Sequence, residues 1–268
     1  MKYTTMPSVE IVNIAYTIDS VHLKRNVELE LFLPEGLLGN EMLNLLLLND
    51  GQDAEALRLG DTLASLQRQQ QIGPLVVAAI KASAERVQEY GVAGVPDFMG
   101  RGSKAQAYSD FVILELIPFI EGTLNMPIRG KRAFAGFSLG GLSAFDIAWG
   151  NEAHFDAVGV FSGSFWWRKK DLSEGYTDQD RILHQRIADT QGKPELKFWL
   201  MTGTEDETAD RNKNFIIDSI DDTVDVIKEL LLKGYKRPQD LAYYEVVGGR
   251  HDVATWGKAM SAFLCWAF

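Results

Sequence analysis

Cysteine is nearly missing from this 268-residue chain, where Cys265 stands alone. That excludes an intramolecular disulfide framework and any zinc or iron–sulfur site built on several thiolates. A chain without disulfides fits the cytosol but does not exclude other compartments. No apolar run approaches the ~18–20 residues of a membrane span, and the opening MKYTTMPSVE has no signal-peptide core. As it stands the chain reads as cytoplasmic, and as periplasmic or secreted if a signal peptide precedes it. Basic residues are outnumbered, with 27 Lys plus Arg against 37 Asp plus Glu. Neither nucleic acid nor an anionic membrane surface is therefore expected as the main partner. Pro/Gly/Ser-rich linkers, internal repeats and low-complexity tracts are also missing, which favours one domain over residues 1–268. What is present is average for a globular protein, 46% hydrophobic and 24% charged. A chain of this length buries roughly 70–75% of its unfolded surface without needing staples. Oligomeric state leaves no readable signal.

Two strand-like segments open the chain, Val9–Tyr16 and Val21–Pro34, the second ending in a period-two alternation. Six short apolar runs then recur at Leu43–Leu48, Leu75–Ile80, Ala133–Phe137, Ala157–Phe161, Phe198–Met201 and Leu241–Val247. Continuous apolar runs of that length suit strands buried on both faces of a parallel sheet. Helix-length amphipathic segments separate them, near 54–70, 105–124, 140–149, 178–189, 222–233 and 252–266. The alternation predicts an α/β fold: a mostly parallel central sheet with antiparallel N-terminal strands and helices on both faces.

One stretch carries chemistry. Gly136-Phe137-Ser138-Leu139-Gly140 is a Gly-x-Ser-x-Gly pentapeptide, weak by itself and stronger here because a strand-like run enters it and a helix-like run leaves. A sharp strand–turn–helix bend needs small residues at 136 and 140 and pushes the serine hydroxyl above the sheet edge. Ser138 is the candidate nucleophile, and the Leu139 amide at the helix start is the candidate oxyanion donor. The second donor is expected from the turn after an earlier strand, Asn49-Asp50-Gly51-Gln52-Asp53, with the Gln52 amide as the candidate. A serine hydroxyl needs a general base held by a third group. Of the four histidines, His22 and His184 read most simply as surface residues, and His154 lies in a connection. His251 follows the last strand among flexible glycines and completes the order Ser…acid…His. The strand at Lys197–Gly203 runs into Glu205-Asp206-Glu207; Asp206 is the preferred acid, with Glu205 as the alternative.

With these residues placed, the chain resembles the putative esterase family of α/β-hydrolases, which includes feruloyl and acetyl esterases, enterochelin esterases and S-formylglutathione hydrolases. The resemblance rests on the Leu-Leu-Asn-Asp-Gly-Gln turn, Arg86-x-x-Glu89-Tyr90, and the Phe111–Ile120 segment Phe-x-x-x-Glu-Leu-Ile-Pro-x-Ile. It continues through Gly136–Gly141, Phe161-Ser-Gly-Ser-Phe-Trp-Trp167 and the closing Gly-x-His-Asp-x-x-x-Trp of Gly249–Trp256. It implies the α/β-hydrolase fold and Ser138, His251 and Asp206 as nucleophile, base and orienting acid, with no cofactor required for catalysis. It also implies a small-molecule or carbohydrate ester substrate, and Trp167, with Trp166 beside it, in the pocket wall. Feruloyl or acetyl carbohydrate esters are one expectation. A thioesterase, an acyltransferase and a non-catalytic calcium-stabilised binding module are the alternatives.

Residues 205–225 hold eight acids against Arg211 and Lys213, a net of −6 within a total of −10. Inside this acidic insertion, at about 205–221, oxygen-bearing residues fall at calcium-loop spacing: Asp210, Asn212, Asn214, Asp218 and Asp221, with the Ile216 carbonyl at position 7 and apolar Ile217 at position 8. The spacing predicts a structural Ca2+ site. Phe215 occupies the position where such loops turn on glycine, and a left-handed phenylalanine costs roughly 1–2 kcal/mol.

Overall fold

The computed structural model describes residues 10–37 and 42–268. Eight strands form one sheet: β1 (Ile11–Ser20), β2 (Arg25–Pro34), β3 (Asn44–Asn49), β4 (Leu75–Ile80), β5 (Arg132–Phe137), β6 (Ala157–Phe161), β7 (Lys197–Glu205) and β8 (Leu241–Arg250). Their spatial order is β1-β2-β4-β3-β5-β6-β7-β8. The first two strands pair antiparallel with each other, β2 pairs antiparallel with β4, and every later pair is parallel. The mixed sheet expected from the apolar runs is the one observed. The first strand runs on to Ser20 where Tyr16 was expected to end it, and the second begins at Arg25, because Val21–Lys24 make the hairpin turn; Val9 lies outside the described residues.

Eight helices cover the sheet: α1 (Leu59–Arg68), α2 (Arg86–Glu89), α3 (Ala105–Phe111), α4 (Ile117–Leu124), α5 (Leu139–Gly150), α6 (Ile182–Asp189), α7 (Asp218–Leu232) and α8 (Val253–Ala267). The single helix expected over 105–124 is interrupted by a π-turn at Val112–Leu116. There Glu115 accepts the Val21 and His22 amides of the β1–β2 turn. Strand periodicity sorts the side chains of the buried strands into two cores. Leu45 and Leu47 face one core with the apolar sides of α3 to α7, whereas Leu46 and Leu48 face the other with α1 and α8. No helix among the described residues is long and apolar enough to cross a membrane.

After β3 the chain moves outward to β4, then returns to place β5 on the other side of β3. The carboxyl ends of β3 and β5 therefore lie side by side while their connections diverge, which opens a crevice there. Asn49-Asp50 and Phe137-Ser138 form its two lips.

Candidate active site

Ser138 stands between β5 and α5 at φ +53°, ψ −122°. This conformation costs an L-residue of order 1–3 kcal/mol and persists only where the surroundings enforce it. They do so here. The Ser138 N–H donates to Phe161 O at 2.9 Å, and the Ser138 carbonyl accepts from the Gly141 and Ser164 amides, each at 3.1 Å. A Cβ on Gly136 would lie 2.4 Å from the Gly140 carbonyl carbon, so the strand and helix meet at a distance only glycine permits. The Leu139 amide opens the helix and, like the Gln52 amide in the turn after β3, donates to no protein acceptor among the described residues. Both N–H groups are thus free for a ligand oxygen.

The two lips are locked together. Asn49 donates through Nδ2 to Gly140 O at 2.8 Å and accepts from the Tyr108 hydroxyl at 2.6 Å. Asp50, left-handed at φ +60° and ψ +42°, receives Arg86 Nε and Nη2 on its two oxygens at 2.6 and 2.8 Å. The Arg86-x-x-Glu89-Tyr90 motif acquires its meaning here, since all three side chains work in one cluster. Arg86 holds Asp50, Tyr90 accepts the Asp50 N–H, and Glu89 binds Arg25 through both oxygens. The sequence displayed this motif but gave no hint of the Arg86–Asp50 pairing.

His251 leaves β8 and packs edge-on against Trp256, ring centroids 5.2 Å apart at 81°. Trp256 in turn donates from Nε1 to Ser162 Oγ at 3.0 Å and stacks on Phe137. Partial desolvation pushes the His251 pKa down, aided by the Arg86 charge and opposed by Asp206 and Asp252. The strand before it is the edge of the sheet, and the glycines at 248–249 are part of it. A register shift between Gly203 and Glu205 gives β8 two extra residues over that stretch, and the two strands end paired, Glu205 with Arg250. Asp206 is buried; its Oδ2 accepts from Gly203 N–H at 3.0 Å and Ser219 Oγ at 2.9 Å. Its Oδ1 is buried with no partner among the described residues, an arrangement that calls for a donor. Glu205 points outward, its side chain 56% exposed and paired with Arg250. The His251 ring makes no side-chain hydrogen bond among the described residues, and catalytic hydrogen bonds commonly tighten only once substrate binds.

Two expectations change. Trp167 is fully buried, its ring against Gly91 and Gly102, so it has no face to offer a substrate. Trp166 beside it is partly exposed, with the Arg101 guanidinium 4.9 Å above its ring. His184 is a buried residue, its Nε2 at 3.0 Å from Asp222 O, because α6 turns that face onto α7. Sequence reasoning also missed Ser164, whose hydroxyl lies 3.3 Å from the Ser138 hydroxyl; its only signal was its place in the Phe161–Trp167 string.

The loop at 210–221 closes on itself. Asp210 accepts the Asn214 and Phe215 amides, and Asn214 Oδ1 accepts the Ile216 amide. Asn212 and Asn214 donate their side-chain amides to Asp221 Oδ2 at 2.9 and 2.7 Å. Asp218 has turned to Arg211, taking its backbone N–H at 3.0 Å. Phe215 adopts the left-handed conformation at φ +71° with its ring 99% exposed. In this arrangement the loop's side-chain oxygens are engaged by its own amides and by Arg211, and no group of three or more His, Cys, Asp or Glu among the described residues converges on a metal position.

A mostly parallel eight-stranded sheet in this order, with a serine bend after the fifth strand and a histidine turn after the eighth, is the α/β-hydrolase fold. Residues 20–267 match the family described as Putative esterase. The chain belongs to that family. Among solved structures it is similar to the enterobactin esterase of Shigella flexneri determined with enterobactin, at 21% identity and TM-score 0.74, over 99% of this chain and 61% of that one. It is also similar to a ferulic acid esterase (17%, 0.71, covering 97% and 98%) and to a siderophore hydrolase from Aspergillus nidulans (17%, 0.68, covering 98% and 96%). The chain spans about 60% of the length of the enterobactin esterases it matches. At these identities the likeness is one of fold. No curated protein matches the chain.

Proposed function

We propose that the protein is a serine carboxylesterase that works through an acyl-enzyme. The observation that carries this reading is the strained Ser138, held at φ +53° at the crevice of the sheet, with the Leu139 and Gln52 amides donating to no protein acceptor among the described residues. Ser138 Oγ attacks the ester carbonyl carbon while His251 takes its proton. The developing oxyanion accepts hydrogen bonds from the Leu139 and Gln52 amides, the term that most often dominates acyl-transfer catalysis. Collapse breaks the ester C–O bond, and His251 returns the proton to the departing alcohol. Water, deprotonated by His251, then hydrolyses the acyl-enzyme and frees Ser138. Asp206 orients His251 through its unpartnered Oδ1 and stabilises the imidazolium.

For the acyl or alcohol group, the candidate wall is Trp166, partly exposed and two residues beyond Ser164, whose hydroxyl meets that of the nucleophile. A flat aromatic acyl group or a sugar face suits such a wall. This supports a feruloyl- or acetyl-type carbohydrate ester, and a siderophore ester of similar flatness belongs on the same panel. The test is Ser138→Ala on a p-nitrophenyl acyl ester, with fluorophosphonate labelling of the parent enzyme. The variant should lose roughly 10³-fold or more of kcat while folding normally, and the label should fall on Ser138. Full activity in the variant would remove the serine mechanism, and a folded parent without label would point to a binding module. A thioester turned over faster than the matching oxoester would make the protein a thioesterase.

A further inference from the structure

We propose that Arg86 is a positioning residue of the esterase reaction: its fork on Asp50 and its reach to Phe137 O set the spacing between the two oxyanion donors. The inference rests on the serine-esterase reading above. The donors come from separate chain segments, the Gln52 amide two residues after Asp50 and the Leu139 amide two residues after Phe137. Arg86 contacts both segments, Asp50 through Nε and Nη2 at 2.6 and 2.8 Å and Phe137 O through Nη2 at 3.4 Å. The Asp50 carboxylate also presses on the elbow, since a Cβ on Gly140 would lie 2.5 Å from Asp50 Oδ2.

The arrangement is built to hold a fixed geometry. Asp50 is left-handed, a conformation its backbone leaves readily once released. Its side chain is 3% exposed, against 29% for that of Arg86. The guanidinium lies 5.1 Å over the Tyr90 ring, and the Tyr90 hydroxyl accepts the Asp50 N–H at 3.4 Å. Three residues on from Arg86, buried Glu89 fastens the short helix α2 to Arg25 at the start of β2. A planar fork can hold both carboxylate oxygens and a carbonyl at once; a lysine ammonium, a point charge on a flexible stem, cannot.

Arg86 also acts on the proposed base. The charged groups acting on His251 are Asp206, Arg86 and its chain neighbour Asp252, and of these only Arg86 disfavours the imidazolium. Neutralising Arg86 therefore raises the pH at which His251 gains its proton, a change that mere loosening of the fold would not produce.

The experiment compares the parent enzyme, Ser138→Ala, Arg86→Gln and Arg86→Lys on p-nitrophenyl acetate across pH, with melting curves for each. Arg86→Gln should lower kcat roughly 10- to 100-fold with KM changed less than about threefold, and move the acid limb of activity to higher pH. Arg86→Lys should keep the limb near its original place while kcat stays depressed. A folded Arg86→Gln enzyme with parental kcat overturns the proposal, and so does a loss of kcat with an unmoved limb, which marks general damage. If Arg86→Gln does not fold, Arg86→Lys decides, and parental kcat without the fork overturns it. Activity retained in Ser138→Ala would instead sink the underlying serine reading, whatever the Arg86 variants do.

Discussion

At the scale of single residues, the decisive contrast is between two neighbouring carboxylates. Glu205 meets Arg250 at the exposed rim, where an ion pair contributes at most about 1 kcal/mol. Asp206 is buried with one oxygen satisfied and the other bare. Asp206→Asn should accordingly lower kcat roughly 10³- to 10⁴-fold by presenting the histidine with the wrong partner. Glu205→Gln should change it less than about threefold, and the reverse result would hand the acid role to Glu205. The acid limb of kcat/KM belongs to this scale too. Desolvation and Arg86 lower the His251 pKa below its usual 6.5, so the neutral, proton-accepting form persists into more acid solution. The limb's midpoint should fall below pH 6.5, and a midpoint at 7 or above would exclude His251 as this base. Ser138 and His251 were legible in the sequence because their surroundings are local: glycines two residues away, and a strand just before each. The orphaned oxygen of Asp206 was not, because burial there depends on Ser219 and on the neighbouring strand.

Among the elements, the loop before α7 separates spacing from geometry. Its oxygen-bearing residues follow calcium-loop positions, yet folding spends those groups on backbone amides and on Arg211. A site saturated 100-fold would add about 2.7 kcal/mol of stability and raise the Tm by several degrees. The expected outcome is a melting temperature equal within about 1 °C in chelator and in millimolar calcium. A calcium-dependent rise would reinstate the ion. The short helix α2 shows the opposite case, in which a string of four to five letters hides a working unit. Arg86, Glu89 and Tyr90 lie at i, i+3 and i+4, one face of a helical turn. What they grip, Asp50 and Arg25, lies 36 and 64 residues away in the chain. No periodicity argument reaches that far.

For the molecule as a whole, the net −6 between residues 205 and 225 is not left to repel itself. Arg211 takes Asp218 and Asp222, while Arg181, from outside the segment, takes Asp222 and Asp225. The charges are knitted into the α6–α7 interface and become part of global stability. His184 sits in the same interface, its Nδ1 buried without a partner and its pKa driven down to about 3, first by desolvation and then by Arg181. The folded state thus excludes a proton that the unfolded chain accepts below about pH 6.5. Stability attributable to this group is complete above 6.5 and falls as pH drops towards 3, by up to roughly 2 kcal/mol at pH 5. Thermal melts at pH 7 and pH 5 should show a smaller drop for His184→Gln than for the parent; equal drops would place the acid sensitivity elsewhere.

The sequence by itself determined the succession of strands and helices, the elbow around Ser138, and the place of His251 after the last strand. Each of these is written in hydrophobic period, glycine spacing and order along the chain, which act over a few residues. Only the tertiary structure decided that Trp167 is core and Trp166 rim, that His184 is buried, that the calcium-spaced oxygens are already engaged, and that Arg86 joins the two lips of the crevice. Those outcomes depend on which distant segments arrive at the same point, and on which polar groups find partners before water or a ligand does.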